Sequence, residues 1–351
     1  MLDWQHHLPF FRILSQSCGM NMYDVVIIGG GPAGLGAAVT LSRARRDVLV
    51  IDAGEPRNGR ASRANSYLGR EGIAPRELLT IGRGEVEQYG GDVRDGTVVS
   101  VKRLGPTALR VGLADGSTVD ARRVLLATGV VDELPDIPGL RERWGRDVLH
   151  CAYCHAWEVR DKVVGVIASG AASLHQAQLW RQWTDRVVFF VHESLELKTS
   201  DRAELAARGI AVLEGQVSGI EVTGDALGGI RVGDTTIAVQ VALVFPVSNA
   251  RTELLGQLGL LPEEKHMDDQ VIGATLTDVD MFGATGVPGV WAAGNVRGHR
   301  AQIIDAAAQG VQTGAMINID LVNEEVAAAV AAHPFTPERE REVAKHVLVK
   351  R

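Results

Sequence analysis

The segment Tyr23-Asp-Val-Val-Ile-Ile-Gly-Gly-Gly-Pro-Ala-Gly34 decides the fold, because it joins a buried strand to a glycine-rich turn. Residues 23–28 form a β-branched run typical of a parallel strand that is buried on both faces. Gly29, Gly31 and Gly34 occupy the G-x-G-x-x-G positions. The first glycine permits a tight turn, the second lets the backbone approach a pyrophosphate, and the third lets the next helix pack closely against the strand.

The residues after this turn extend the pattern. Pro32 and Ala33 begin an apolar helix predicted to run to residue 44, and the positive end of its dipole faces the phosphates. A second strand is predicted at residues 48–51. Asp52 follows it, about 20 residues beyond the glycines, where an acidic side chain accepts hydrogen bonds from a ribose hydroxyl. The order of strand, glycine turn, helix, strand and acid predicts a dinucleotide-binding unit.

Length and composition limit what else the chain can be. Its 351 residues, 46% of them hydrophobic, are enough to build two buried cores. The net charge is -7 and no stripe of Lys and Arg occurs, so a nucleic-acid partner is not expected. No apolar run is long enough to span a bilayer, so no membrane partner is expected either. We expect a cytoplasmic globular protein.

The second informative segment is His150-Cys-Ala-Tyr-Cys-His155, which contains two of the three cysteines. In a reducing compartment a C-x-x-C pair indicates redox chemistry or a metal site. Two thiols at this spacing can form a small ring, and one of them commonly has a depressed pKa. Zinc is disfavoured because no second C-x-x-C or spaced histidine pair appears. The sequence therefore predicts a redox pair, Cys151 and Cys154, and no metal.

Five motifs then occur in the order found in low-molecular-weight thioredoxin reductases, which this chain resembles. They are the glycine turn, Ala127-Thr128-Gly129, Ile137-Pro138-Gly139, the C-x-x-C pair and Gly289-Val-Trp-Ala-Ala-Gly294-Asn295. The resemblance implies an α/β fold of two Rossmann-like domains, each of three layers with a mostly parallel sheet, the second inserted in the first. It also implies an FAD held by the outer domain and a redox pair on the inserted one.

The predicted organisation follows from these motifs. It comprises an N-terminal tail at 1–21, a first part of the FAD-binding domain at 22–133, the inserted domain at 134–249, a second part of the FAD-binding domain at 250–326, and a C-terminal helical extension at 327–351. We expect the tail, which contains Cys18, to be loose or to precede the true start at Met20 or Met22.

By resemblance, further residues of the outer domain contact FAD. Ala127, Thr128 and Gly129 end one strand, and Gly294 and Asn295 follow another. Gln302 and Ile303 begin the helix whose N-terminus lies under the flavin ring in the family. The family usually has Asp at position 295, but Asn can still bond a ribityl or phosphate oxygen.

The corresponding nucleotide turn of the inserted domain departs from the family. In Ala168-Ser-Gly-Ala-Ala-Ser173 only the middle glycine remains. After the second strand of this domain come His192, Glu193 and Ser194, with none of the arginines that usually grip a 2'-phosphate. NADPH is therefore disfavoured. NADH, no nicotinamide at all, and a domain kept only for structure remain open.

The residue after the second cysteine indicates which subgroup of thioredoxin reductase-like proteins the chain resembles. Thioredoxin reductases usually have Asp there, whereas this chain has His155, whose ordinary pKa of about 6.5 suits proton transfer. The stretch resembles the flavin dithiol oxidases that form the internal disulfides of gliotoxin, holomycin and romidepsin, with Ala152 and Ala156 in place of Pro and Gly. By resemblance Cys154 lies next to the flavin, Cys151 exchanges with substrate, and His155 handles the proton.

Three functions are consistent with these features. The favoured one is oxidation of a small-molecule dithiol, with O2 as acceptor and H2O2 as product. The second is a disulfide reductase of the thioredoxin reductase type, which uses NAD(P)H and a thioredoxin-like protein. The third is a flavin-binding structural or regulatory protein without turnover. A homodimer is implied by resemblance alone, and the sequence does not identify the dithiol.

Overall fold

The computed structural model describes residues 22–105, 107–192 and 195–348. The predictions about residues 1–21 and about Glu193 and Ser194 lie outside these ranges. Within them, no helix combines the length and the apolar character needed to cross a membrane.

The first sheet takes strands from both ends of the chain. Its elements and their neighbours are β1 (Met22–Ile28), α1 (Pro32–Arg43), β2 (Val48–Asp52), α2 (Pro75–Gln88), β3 (Asp92–Asp95), β4 (Val98–Arg103), β5 (Leu109–Leu113), β6 (Thr118–Leu126) and β19 (Val290–Ala292). The strand order is β3-β2-β1-β6-β5-β4, and β19 also pairs with β6. Strands β3, β2, β1, β6 and β19 are parallel. Strands β4 and β5 form an antiparallel hairpin.

Both faces of this sheet are covered, which explains the unbroken apolar run in β1. Val25 and Ile27 point toward α1 and α8 (Ile303–Ala332), whereas Val26 and Ile28 point toward the β4–β5 hairpin and α7 (Thr252–Gln257). These four side chains are at most 5% exposed. Burying each contributes about 1.5–3 kcal/mol, so a charge at any of them would disrupt the core.

Helices α1 and α8 cross at very short range. A Cβ atom at Gly310 would lie 2.0 Å from the carbonyl oxygen of Ala33, so only glycine fits there. The predicted boundary between residues 326 and 327 falls inside α8, which runs unbroken to Ala332. No Gly or Pro interrupts residues 315–332, and the alanines after 326 have the highest helix propensity. A separate helix, α9 (Pro337–Leu348), follows.

The second sheet repeats the layered plan. Its elements and their neighbours are α3 (Leu140–Arg143), β8 (Val148–Leu149), α4 (Ala152–His155), β9 (Val164–Ile167), α5 (Ala172–Trp180), β10 (Val187–Phe190), α6 (Thr199–Ala207), β11 (Ala211–Leu213), β12 (Val217–Thr223), β13 (Ala226–Val232), β14 (Thr235–Ile237) and β15 (Val241–Leu243). The parallel order is β11-β10-β9-β15-β8, and β12-β13-β14 form an antiparallel sheet. The predicted α/β fold with one Rossmann-like unit nested in another is confirmed.

Two strands connect the units. The chain leaves the first unit through β7 (Val130–Glu133) and returns through β16 (Val247–Ala250), and these strands pair antiparallel. A hairpin of β17 (Glu263–Met267) and β18 (Gln270–Thr275) extends the same sheet through β16. The domain limits at 133/134 and 249/250 stay a prediction, and both fall in or beside this ribbon.

Candidate active site

The three glycines of the turn after β1 differ in how closely the protein surrounds them. Gly29 has a φ of +111°, and a Cβ atom there would lie 2.4 Å from the carbonyl oxygen of Ala127. A Cβ atom at Gly34 would lie 1.9 Å from the carbonyl oxygen of Gly29. A Cβ atom at Gly31, by contrast, would meet nothing within 4 Å. The turn is therefore tight against the protein at its first and third glycines and open at its second.

The motifs meet because they end neighbouring parallel strands. Gly29 follows β1, Ala127 follows β6, and Gly294 comes soon after β19. A Cβ atom at Gly294 would lie 2.8 Å from the Cβ atom of Ala33 at the start of α1. The carboxyl ends of parallel strands are where such sheets bind ligands. Next to Ala127, the hydroxyl oxygen of Thr128 is buried and has no hydrogen-bond partner in the described protein.

Asp52 lies at the end of β2, beside the turn. Its Oδ1 atom accepts a hydrogen bond of 3.1 Å from the Gly30 amide, and its Oδ2 atom pairs with Arg83 of α2 at 2.5 Å. Asp52 and Arg83 line a cavity of about 460 Å³ at the ends of β2 and β3. Arg83 could not be identified from sequence, because its contact with Asp52 forms only when α2 packs on the sheet. The predicted ribose contact of Asp52 stays a prediction.

Asn295 shapes the loop that leads into α8. Its Nδ2 atom donates to the carbonyl oxygens of Gly298, His299 and Ala301 at 3.2, 3.2 and 2.9 Å. An aspartate could not make these bonds, because a carboxylate only accepts hydrogen bonds. The departure from the family therefore has a structural role. In the described protein no donor reaches Oδ1 of Asn295, so that atom stays available to a ligand.

The same loop is held from its other side by Arg57. Its Nη1 atom donates to the carbonyl oxygen of His299 at 2.9 Å, and its other nitrogens form a bidentate pair with Asp132 of β7. Both ring nitrogens of His299 are buried without a hydrogen-bond partner in the described protein. At the end of the loop Gln302 is the N-cap of α8 and Ile303 its first residue, as predicted.

The redox pair lies where β8 ends. Cys151 and Cys154 form a disulfide with their Cα atoms 5.3 Å apart, and both are half-buried. The Nδ2 atom of Asn65, in the loop between β2 and α2, donates to the carbonyl oxygen of Cys154 at 2.8 Å. The segment that carries the disulfide is thus bonded directly to the first domain. Local sequence gave no indication of Asn65, which is 89 positions from its partner.

The two histidines beside the cysteines differ in their surroundings. Burial lowers the pKa of His155 below its ordinary value, and the charge of Glu158 opposes this effect. The ring of His150 packs edge-on against Phe245 at 4.7 Å, and burial together with the nearby charge of Arg57 lowers its pKa to about 4. Both imidazoles are therefore neutral at pH 7. A half-buried neutral imidazole at position 155 can accept a proton from a thiol.

Two aromatic side chains close in sequence to the disulfide face solvent. Tyr153 is 62% exposed and Trp157 is 64% exposed. The ring of Tyr153 lies edge-on to that of Trp183 at 5.9 Å, and the guanidinium of Arg160 lies 4.3 Å from the ring centroid of Trp157. These contacts orient both rings next to the disulfide. Among the described residues, no group of three or more His, Cys, Asp and Glu side chains could hold a metal ion.

The disulfide lies on one Rossmann-like unit, and its segment is hydrogen-bonded to the other unit, which carries the glycine turn. This arrangement defines a flavin-dependent disulfide oxidoreductase. Residues 23–312 match the family model described as pyridine nucleotide-disulphide oxidoreductase, and the chain belongs to this family. It is a thioredoxin reductase-like member.

Comparison with individual proteins supports this placement. The chain is 31% identical over 317 residues to "Thioredoxin reductase tcpT" of Claviceps purpurea, covering 86% of this chain and 95% of tcpT. The crystal structure of HlmI superimposes with a TM-score of 0.82 at 43% identity, covering 89% of this chain and 96% of HlmI. An oxidoreductase from Agrobacterium tumefaciens gives a TM-score of 0.79 at 34% identity, with 86% and 99% covered.

Proposed function

We propose that the protein is an FAD-dependent dithiol oxidase, which forms a disulfide in a small-molecule dithiol and passes the electrons to O2 to give H2O2. The observation that carries the proposal is the Cys151–Cys154 disulfide, bonded to the first domain through Asn65, with a neutral histidine next in sequence. The 43% identity with HlmI over 89% of the chain supports a close relationship to that protein.

The residues at the strand ends of the first domain fit FAD. The open Gly31 turn and the first amides of α1 suit a pyrophosphate, and Asp52 suits a ribose. The unpaired hydroxyl of Thr128 and the Oδ1 atom of Asn295 are left to bond the remaining polar groups. When bound, FAD supplies the two-electron acceptor that returns the cysteine pair to the disulfide and is itself reoxidised by O2.

The cysteines and the histidine carry out the exchange with substrate. A substrate thiolate attacks Sγ of Cys151, the disulfide breaks, and Cys154 leaves as a thiolate. The second substrate thiol then attacks the substrate sulfur of this mixed disulfide, which releases the Cys151 thiolate and the cyclised product. The substrate loses two electrons and the cysteine pair gains them. His155 accepts the proton released in the exchange, since its ring is neutral at pH 7.

The test is an anaerobic titration of the purified holoenzyme with dithiothreitol, NADH and NADPH in turn, followed by admission of air. We expect dithiothreitol to bleach the flavin and air to restore it, with one H2O2 formed per flavin. Flavin bleaching by dithiothreitol without peroxide on reoxidation would rule out the oxidase.

A reductase of the thioredoxin reductase type is the second candidate, because named relatives such as tcpT are thioredoxin reductases. It predicts rapid bleaching by NADH or NADPH and reduction of a thioredoxin by the bleached enzyme. Those two results together would replace the oxidase proposal.

The proposal includes a homodimer formed through α8. Val311, Ile319, Val322, Val326 and Val330 are 41–61% exposed and lie along one side of this helix, an apolar stripe that pairing with a second copy would bury. We expect sedimentation of the wild-type protein as a dimer and of the Val322→Glu, Val326→Glu double variant as a monomer. A wild-type monomer at micromolar concentration would refute this part of the proposal.

A further inference from the structure

The turn between β9 and α5 in the second domain corresponds to the glycine turn of the first domain, and a side chain fills it. The Oε1 atom of Gln270 accepts a hydrogen bond of 3.0 Å from the Ala172 amide, at the first residue of α5. The Nε2 atom of the same side chain donates to the carbonyl oxygen of Ser169 at 3.0 Å. Gln270 thus makes with the turn the kind of bond that a phosphate oxygen would make with a helix N-terminus.

The two turns of this chain can be compared directly. A Cβ atom at Gly31, in the first domain, would meet no atom within 4 Å. A Cβ atom at Gly170, the middle position of the second turn, would lie 2.3 Å from both Cδ and Oε1 of Gln270. The space that is open beside Gly31 is therefore occupied by a carboxamide beside Gly170.

The other polar groups of the second turn are also satisfied within the protein. The Ser169 amide donates to the hydroxyl of Ser173 at 3.0 Å, and the Ser169 hydroxyl donates to the carbonyl oxygen of Phe245 at 2.8 Å. A nucleotide phosphate would have to displace Gln270 and would not find these groups free. Displacing this half-buried amide from its partners has a cost comparable to that of the lost hydrogen bonds.

Gln270 reaches this turn from outside the second sheet. It is the first residue of β18, which pairs with the connecting strand β16, whereas Ser169 and Ala172 flank the β9–α5 turn. Its side chain therefore spans from the connecting ribbon to the second domain, 101 positions away in sequence from Ser169.

We propose that Gln270 is the residue that closes the second domain to nicotinamide nucleotides, so that electrons enter the enzyme only through Cys151 and Cys154. The inference deepens the proposed oxidase function, since it names what excludes the alternative electron donor. It concerns an adenine dinucleotide with a pyrophosphate, whether or not a 2'-phosphate is present.

The test measures NAD⁺ binding to the holoenzyme by calorimetry and flavin bleaching by NADH under anaerobic conditions. For Gln270→Ala and Gln270→Gly, we expect NAD⁺ to bind at least roughly tenfold more tightly than to the wild type, since the amide of Ala172 and the space beside Gly170 become free. NADH should bleach the flavin of these variants faster than that of the wild type. Hydrogen exchange of the peptide that contains Ala172 should rise, which verifies that the bond to Gln270 is lost.

Two control variants separate this effect from general loosening. Gln257 also bridges backbone groups, those of Val99 and Val101, but it lies in the first domain. Gln257→Ala should leave NAD⁺ affinity at the wild-type value. Gln270→Glu keeps an acceptor for Ala172 and adds a negative charge, so NAD⁺ should bind it no better than the wild type.

Two outcomes would overturn the proposal. One is wild-type NAD⁺ affinity in Gln270→Ala although hydrogen exchange shows the bond lost. The other is tight NAD⁺ binding by the wild-type protein. Neither outcome depends on whether wild-type enzyme treated with dithiothreitol produces H2O2, so failure of the oxidase function and failure of this inference are distinguishable.

Discussion

The Nδ2 atom of Asn65 donates a hydrogen bond of 2.8 Å to the carbonyl oxygen of Cys154 and thereby joins the first domain to the redox segment of the second. Replacing Asn65 with Ala should loosen this attachment. One hydrogen bond contributes about 1 kcal/mol, so we expect dithiol-driven bleaching of the flavin to slow about fivefold in anaerobic stopped flow. Asn318→Ala in α8, which loses one hydrogen bond donated by Arg46, should keep the wild-type rate. Equal rates in all three proteins would show that the bond has no role in the reaction.

His155 should control how the rate of flavin reduction depends on pH on the acidic side. Because burial lowers its pKa, the ring stays neutral to a lower pH than a free imidazole, and the rate of flavin reduction should rise with pH through that lowered pKa and then level off. His155→Asn should remove this rise and reduce the rate at pH 7 by roughly 100-fold. His175→Asn changes an exposed histidine of α5 and should alter neither property. An acidic limb that persists in His155→Asn would assign the proton to another group.

Serine variants of the two cysteines should lose different steps of the reaction. Cys154→Ser keeps Cys151 as a free thiol but cannot form the disulfide that a dithiol reduces, so we expect no bleaching of the flavin by dithiothreitol. A small disulfide added in excess should exchange with Cys151 of this variant and give a mixed disulfide, detectable by mass spectrometry. Cys151→Ser should form this adduct much more slowly. If Cys154→Ser left every flavin redox reaction unchanged, the protein would have to be a flavin-binding protein without disulfide turnover.

Asn295 should matter for cofactor retention. Asn295→Asp replaces three donated hydrogen bonds with a carboxylate facing three carbonyl oxygens, so the loop before α8 should loosen. We expect the purified variant to contain less flavin per chain, measured from the ratio of absorbance at the flavin and protein bands. The same substitution at Asn318, where only Oδ1 is used, should leave the flavin content unchanged. Full flavin content in Asn295→Asp would contradict this role.

Arg123 should stabilise the attachment of α8 to β6. Its side chain is 7% exposed and pairs with Asp320 at 2.5 Å and Glu324 at 2.7 Å. Both carboxylates are partly solvated, so Arg123→Ala should lower the free energy of unfolding by about 1–3 kcal/mol and Tm by several degrees. Arg341→Ala, which breaks an exposed pair with Glu338, should have almost no effect.

The same network gives a pH dependence with a definite sign. Burial acts to raise the pKa of Glu324, but the hydrogen bond from Arg123 and the charges of Arg122 and Arg123 outweigh it and leave the pKa lowered. The stabilisation is therefore complete above the unfolded value of about 4.3 and is lost as pH falls through the lower folded value. The difference in Tm between wild type and Arg123→Ala should shrink over that range.

The parts of the site that the sequence predicted are those that depend on local geometry. Gly29, Gly31 and Gly34 could be assigned because a strand followed by a tight turn and a helix imposes its own residue requirements. The nested fold followed from the order of such local motifs. The end of α8 could not be read from the sequence, because the alanines after residue 326 continue the helix without a stop signal.

The contacts that hold the site together could not be predicted in this way. Arg83, Asn65 and Gln270 bond to partners 31, 89 and 101 positions away in sequence. No spacing rule covers such distances, because each contact exists only after two elements have packed. Each of these residues is an ordinary polar residue in its own segment, and only the fold brings it to its partner.

The antiparallel pairing of β7 with β16 has a consequence for how such enzymes can change. Glu133 lies opposite Val247, so the two ends of the inserted unit are neighbours in space although 114 positions apart in number (247 − 133). A segment whose ends meet can be exchanged for another of similar fold by replacing one continuous stretch of gene, with both junctions already in register. The inserted unit of this chain thus meets the geometric condition for exchange by recombination as one continuous stretch.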